Sequence, residues 1–361
     1  MTTPYNTTVP PKRPWLSLFS KFLVVCTLIL IFMGGHVKSH EAGLSVPDWP
    51  GTWGYNMFTY PPALWTGGIF YEHTHRLFAS FVGLCTVILM LWTLFTDNRG
   101  WVKFLSVAAF VAVVVQGILG GMTVLLHLPA WTSISHGVLA QTFFLLTILL
   151  AYTFSEEWRR RCSDNKQVQG NPVLKSAIML TVVVYIQLIL GALLRHTESG
   201  LALPDFPTMA GQWLPIFTQE SVTWVNNQLN EISLEAGYLQ VYEVTLSQIY
   251  IHFFHRLGAL FVIAALLVVC RRAKQARDQY PQLWSTTVWL MGLITLQVIL
   301  GISTVLTART PLITSMHVVV GAAILGFTWF LTLRATSLAV FQESTVKEDA
   351  SPSELSEATE A

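Results

Sequence analysis

Residues 43–50 read GLSVPDWP, and residues 200–207 read GLALPDFP. The same short loop therefore occurs twice, at an offset of 157 (43 to 200). The likeness continues beyond it. HTHRLFASFVGL (73–84) resembles HFFHRLGALFV, with His75-Arg76 over His255-Arg256 at an offset of 180. QGILGGMTVL (116–125) matches QVILGISTVL (297–306), and SISHGVLA (133–140) matches TSMHVVVGA (314–322), both at an offset of 181, which places His136 over His317. The step from 157 to 180 puts 23 additional residues in the second loop, roughly 208–249. Self-similarity of this kind sets the architecture before any local reading does.

The segments between these motifs are long and apolar. The 361 residues are 53% hydrophobic and only 11% charged, with a mean hydropathy of +0.53. A soluble domain carries about 25% charged residues, so the chain reads as an all-α integral membrane protein. A helix needs about 20 apolar residues to span a bilayer. Runs near 19–37, 73–95, 101–126, 132–154, 173–194, 250–270, 285–306 and 314–336 meet that length and predict eight transmembrane helices. The net charge of +1 carries no nucleic-acid signature. Cys26, Cys85, Cys162 and Cys270 show no metal-type spacing and read as free thiols.

Lysine and arginine set the orientation. With a cytoplasmic N-terminus, sixteen of the 21 fall on the inside, and only Lys38, Arg76, Arg195, Arg256 and Arg309 lie outside. Both termini are thus expected in the cytoplasm. The expected organisation is a cytoplasmic N-terminus (1–18), a four-helix repeat (19–155), a cytoplasmic linker (156–172), a second four-helix repeat (173–336) and a disordered acidic tail (337–361). An even number of helices per repeat keeps both in the same orientation. The repeats are then parallel, related by a pseudo-two-fold axis along the membrane normal. The first apolar stretch has the basic flank of a signal peptide, but it partners the fifth helix and so belongs to the fold.

Of ten histidines, four occur in register in both repeats: His75, His136, His255 and His317. They are expected within a turn to a turn and a half of the outer starts of helices 2, 4, 6 and 8. A lone membrane histidine commonly makes an interhelical hydrogen bond. Four at matched depths, duplicated, point to ligation. Zinc wants further Cys, His or carboxylate donors. Two opposed imidazoles suit the axial positions of a heme iron, with Gly117, Gly120, Gly191 and Gly301 leaving room for a flat macrocycle.

The repeats differ at one telling place. Glu72 precedes His75 by three residues, where His252 precedes His255. Residues three apart share a helix face, so Glu72 is expected to face what His75 faces. It is either an interfacial carboxylate touching water or a proton acceptor for an oxidation confined to the first site. Arg76, Arg256, Arg195 and Lys38 are candidates for pairing with propionates or for snorkelling anchors. His73 and His252 read as interfacial, and Asp48 and Asp205 as structural residues of loops that cap helices or floor the sites. Gln116, Gln187 and Gln297, each four before a glycine, read as packing residues.

These residues resemble the heme A synthase family, membrane enzymes that convert heme O to heme A for terminal oxidases. The likeness spans about 20 to 335 and rests on Glu72-x-x-His75-Arg76, His136, His255-Arg256, His317 and the two Pro-Asp loops. It implies a resident heme b on His255 and His317, a substrate heme on His75 and His136, and a catalytic role for Glu72 in oxidising the porphyrin methyl. It also implies a cell-membrane location with heme sites toward the outer side, and an electron donor the sequence does not name. Heme O synthase, terminal oxidase assembly factors and a second copy of the chain are candidate partners. Lys38 stands where an arginine is usual, and the outer loops lack the cysteine pairs of some members. A di-heme b-type electron carrier or a proton-relaying transporter would share the histidines; a glutamate at one site alone speaks for the enzyme.

Overall fold

The computed structural model describes residues 9–163, 171–236 and 243–336. The acidic tail (337–361), the middle of the expected linker (164–170), part of the inserted loop (237–242) and residues 1–8 lie outside the described residues. Ten α-helices and no strand occur among the described residues. They are α1 (Pro14–Ser39), α2 (Gly67–Thr96), α3 (Gly100–Leu125), α4 (Ala130–Thr153), α5 (Glu156–Ser163), α6 (Leu174–His196), α7 (Gln219–Ala236), α8 (Leu246–Gln275), α9 (Pro281–Leu306) and α10 (Pro311–Ala335). Eight of them, all but α5 and α7, are long and apolar enough to cross a membrane, as the sequence predicts.

Local chemistry explains the ends. α1, α9 and α10 open with proline, whose missing N–H costs nothing in the first turn. α8 opens with a capping box in which Thr245 and Gln248 bond reciprocally. α3 and α9 stop in the same way, on consecutive left-handed residues: His127 and Leu128 (φ 58° and 59°), and Ala308 and Arg309 (φ 49° and 65°).

α1, α4, α6 and α10 pack against one another at the centre; α2 and α3 flank one side and α8 and α9 the other. In the most apolar window of α10, 56% of residues are buried, against 11% for α9, so α10 is a core helix and α9 a peripheral one. At one end of the bundle arginines hold the helix ends together. Arg13 bridges to Asp97 (2.9 Å), Arg334 to Glu157 (2.5 Å), and Arg161 donates to the carbonyls of Leu333 (3.1 Å) and Thr336 (2.5 Å). The long connections 40–66 and, among the described residues, 197–236 and 243–245 lie at the other end.

α2 and α8 begin at Gly67 and Leu246, ahead of the apolar runs that predict them. Early in these helices Glu72 and His73 on α2 and His252 on α8 are buried polar residues, with Ile249 buried beside them. At ~1.5 Å per residue His75 and His255 lie roughly 12–14 Å along their helices. That is deeper than the expected turn and a half. His136 and His317 lie about 9 Å in, as expected.

Candidate functional site

One continuous cavity of about 1810 Å³ runs between the helices, and His75, His136, His255 and His317 all line it. A single small-molecule site is usually about 300–1000 Å³, so this void has room for two sizeable ligands. The duplication groups the histidines as two pairs, His75 on α2 with His136 on α4 and His255 on α8 with His317 on α10, and the partners of each pair lie within electrostatic range of one another.

Each imidazole is seated against a glycine on the spanning helix that precedes its own. A Cβ added at Gly34, Gly120, Gly191 or Gly301 would lie 3.1, 3.1, 3.2 or 3.0 Å from the ring Cε1 of His75, His136, His255 or His317 respectively. Contacts that tight force the ring to move. The glycines therefore act as notches that set how far each histidine reaches into the cavity. Gly117 faces open space and lines the cavity itself.

The two Pro-Asp loops are clamped over the site by matching contacts. Arg76 donates to the carbonyls of Val46 (2.7 Å), Asp48 (2.7 Å) and Gly51 (3.0 Å). Arg256 donates to those of Leu203 (2.7 Å), Asp205 (2.9 Å) and Thr208 (3.0 Å), the same three positions shifted by 157. Asp48 accepts from the N–H groups of Trp53 (2.7 Å) and Gly54 (2.9 Å), and Asp205 from those of Ala210 and Gly211 (both 2.9 Å). Burial works to raise the Asp48 pKa, but the Gly54 and Trp53 N–H groups and nearby Arg76 outweigh it and hold the carboxyl below its ordinary range. Both aspartates thus hold their own loops together, in keeping with a structural reading.

Glu72 and His252 complete the clamp. Glu72 is 3% exposed; one oxygen accepts from Val46 N–H (2.8 Å) and the other from Arg76 (2.5 Å). His252, 3% exposed, lies 3.1 Å from Leu203 N–H through Nδ1 and 3.2 Å from Arg256 Nε through Nε2. Neither is a surface residue at the interface. His73 is fully buried among Tyr60, Trp65 and Thr52, also unlike its interfacial reading. Glu72 lines the cavity with His75, as their spacing predicts.

The charged groups at α1 and α6 meet across the halves. Lys38 pairs with Glu198, which also takes Arg309 (2.9 Å). Arg195 donates to the Gly35 carbonyl and to Ser39 Oγ (2.8 Å); its other terminal nitrogen is buried with no partner among the described residues. Lys38, Arg195 and Arg309 all line the cavity. Sequence reading missed Arg309, whose counterpart in the duplication is Leu128, and Gly34, which the offset to Gly191 does reveal.

Among the described residues no three His, Cys, Asp or Glu side chains converge to hold a bare metal ion. The histidine pairs instead suit a metal that brings its own in-plane donors. Buried imidazole nitrogens without a partner (Nδ1 of His75, His136 and His317), Gly117 open to the cavity and cations at its rim all fit a flat, apolar, anionic macrocycle. The profile of the COX15-CtaA family, described as cytochrome oxidase assembly protein, matches residues 17–329. The chain belongs to this family. Relatives of the cytochrome oxidase assembly family include proteins named heme A synthase. That of Shewanella oneidensis is 27% identical over 328 residues, covering 86% of this chain and 90% of its own. Those of Rickettsia felis and Rickettsia akari are 25% and 26% identical, each covering 83% of this chain and 93% of its own.

Proposed function

We infer that the chain is a heme A synthase, an oxidoreductase that converts a methyl group of heme O to a formyl group, yielding heme A for terminal oxidases. The observation that carries this is the set of four glycine-seated histidines along one cavity in a member of this family, with Glu72 three residues before His75 where the other half has His252 before His255.

The N-terminal half (19–155) binds the substrate heme between His75 and His136. The C-terminal half (173–336) binds a resident heme b between His255 and His317. Heme iron supplies the one-electron chemistry. The chain supplies placement, charge and proton handling. Glu72, buried at the cavity wall, offers a carboxylate to take a proton or hold a water beside the reacting methyl. Its pairing with Arg76 keeps that charge tolerable at depth. Lys38 and Arg195, with Arg309, offer cations to the propionates. Arg76 and Arg256 direct three bonds each to loop carbonyls, so their contribution to propionate binding is secondary to holding the loops over the hemes.

The matched loop contacts support two parallel repeats related by a pseudo-two-fold axis along the membrane normal. Lysine and arginine bias supports cytoplasmic termini, so that the hemes lie toward the outer face of the cell membrane. An electron donor is required. Heme O synthase, oxidase assembly factors and a second copy of the chain are the partners this reading suggests.

A di-heme electron carrier is the second reading, favoured by the fact that Glu72 and His252 occupy the same clamp. Supplying heme O to the purified protein separates the two: a synthase accumulates a formyl-heme spectrum, while a carrier returns heme O unchanged.

A further inference from the structure

A second cavity, of about 280 Å³, lies at the end of the bundle opposite the long connections. Three helices open on its walls: α1 at Pro14, α3 just after Arg99 and α5 at Glu156. The N-caps of α1 and α3 are Arg13 and Arg99, and neither helix has a side-chain cap. Each thus places a cation at the positive end of a helix, an arrangement that an anion offsets. Lys12, Arg13, Lys21, Arg99 and Arg159 line the cavity with two carboxylates, Asp97 and Glu156. Asp97 is shared by Arg13 (2.9 Å) and Arg99 (2.8 Å), and Glu156 by Arg159 (3.0 Å) and, more loosely, Lys12 (3.8 Å). With each carboxylate divided between two cations and Lys21 added, the five cations leave an excess of three positive charges.

The fold does not demand that excess. Lys21 is in register with Ile178, an exposed apolar residue at the matching place on α6. The cavity also opens toward lipid. Leu18 lines it, and Trp15, Leu18, Phe22, Val25 and Ile29 are all exposed. Spaced three and four apart, they form one apolar stripe along α1, a helix long and apolar enough to span the bilayer. Cations at the head of a lipid-facing stripe match a molecule with an anionic head and an apolar tail. A free anion would use the first feature and leave the second idle.

We propose that this cavity binds an anionic phospholipid, its headgroup phosphate beside Lys12, Lys21 and the first turns of α1 and α3, and an acyl chain along the Trp15–Ile29 stripe. Basic pockets between membrane helices hold anionic headgroups in this way. The lipid ties the start of α1 to the starts of α3 and α5, at the end of the bundle away from the long connections. The site stands apart from the heme reading and requires only that the eight apolar helices span a bilayer.

Tryptophan quenching on the full-length protein in phosphatidylcholine vesicles tests this. Trp15 is 71% exposed beside the cavity, so the difference between the parent and Trp15→Phe reports contact there. Phosphatidylglycerol with brominated chains should quench that signal at a roughly tenfold lower bilayer fraction than brominated phosphatidylcholine, because each lysine beside an anionic headgroup is worth about fivefold. Lys12→Gln with Lys21→Gln should remove most of the preference. Lys274→Gln, on α8 at the same end and outside the cavity, should leave it in place. Equal quenching by both lipids in the parent would overturn the proposal, whether or not any variant folds. So would an equal loss in Lys274→Gln, which would reduce the effect to diffuse surface charge. Inorganic phosphate that displaces the brominated lipid would assign the cavity to a free anion and overturn the proposal as well.

Discussion

In the N-terminal half a carboxylate stands between a loop N–H and an arginine; in the C-terminal half an imidazole does the same. A carboxylate accepts from both at once, whereas a neutral imidazole accepts at one nitrogen only. Yet the second loop keeps the same three arginine contacts as the first. A carboxylate is therefore not required to hold such a loop. Its presence at Glu72, buried at a cavity wall, calls for a reason other than the fold, and proton handling beside a reacting methyl is that reason.

The largest expected effect comes from removing a ligand. His136→Ala should reduce heme A formation to background while leaving the C-terminal heme in place, as pigment extraction and absorption spectra would show. Next is Glu72→His, which copies the C-terminal clamp into the N-terminal half. It should keep the loop and both hemes but lower conversion of heme O by about 100-fold or more. Conversion at the normal rate would make Glu72 a loop residue only. Arg76→Ala and Arg256→Ala each take the donor from three part-buried carbonyls, at roughly 1 kcal/mol apiece. Both variants should melt at a lower temperature, and a fall for one alone would show that the two clamps differ in strength. Gly301→Ala should push the His317 ring aside by a few tenths of an ångström and shift the Soret band of the heme b site with a modest loss of occupancy. Gly117→Ala meets no protein atom, so it should leave the His136 ring in place and crowd only the porphyrin in the cavity, read as a shift of the N-terminal Soret band alone.

The smallest effect concerns the seam between the halves. Burial acts to raise the Glu198 pKa, but Lys38 and Arg309 outweigh it and hold the carboxyl below its ordinary range. A depressed folded pKa contributes stability that is full above the unfolded value and is lost as pH falls through the folded one. Melting temperatures should thus separate the parent protein from Glu198→Gln at neutral pH. The gap should close only once the pH falls below the usual glutamate range.

Much of this was legible in the sequence because duplication acts as an internal control. The offset of 157 between the Pro-Asp loops and the register of His75 with His255 and of His136 with His317 single out four histidines that all line the cavity, and Glu72 by its mismatch. Contacts between halves were not legible. Lys38 meets Glu198 across the seam, where Glu198 also takes Arg309, and no periodicity within one segment reports that. α2 and α8 start ahead of the predicted runs because hydropathy ends each run at the polar residues before it, Glu72 on α2 and Gln248 on α8. Beneath a clamped loop Glu72, His73 and His252 are core residues. The same blindness made His73 and His252 read as interfacial, and made Arg76 and Arg256 look like free cations.

The most direct measurement is heme extraction with mass analysis of the purified protein, comparing His136→Ala with His317→Ala. Loss of the heme O and heme A species from the first and of heme b from the second is the expected outcome. An extract holding only heme b, or the same pigment lost from both variants, would contradict a division of substrate and cofactor between the two halves.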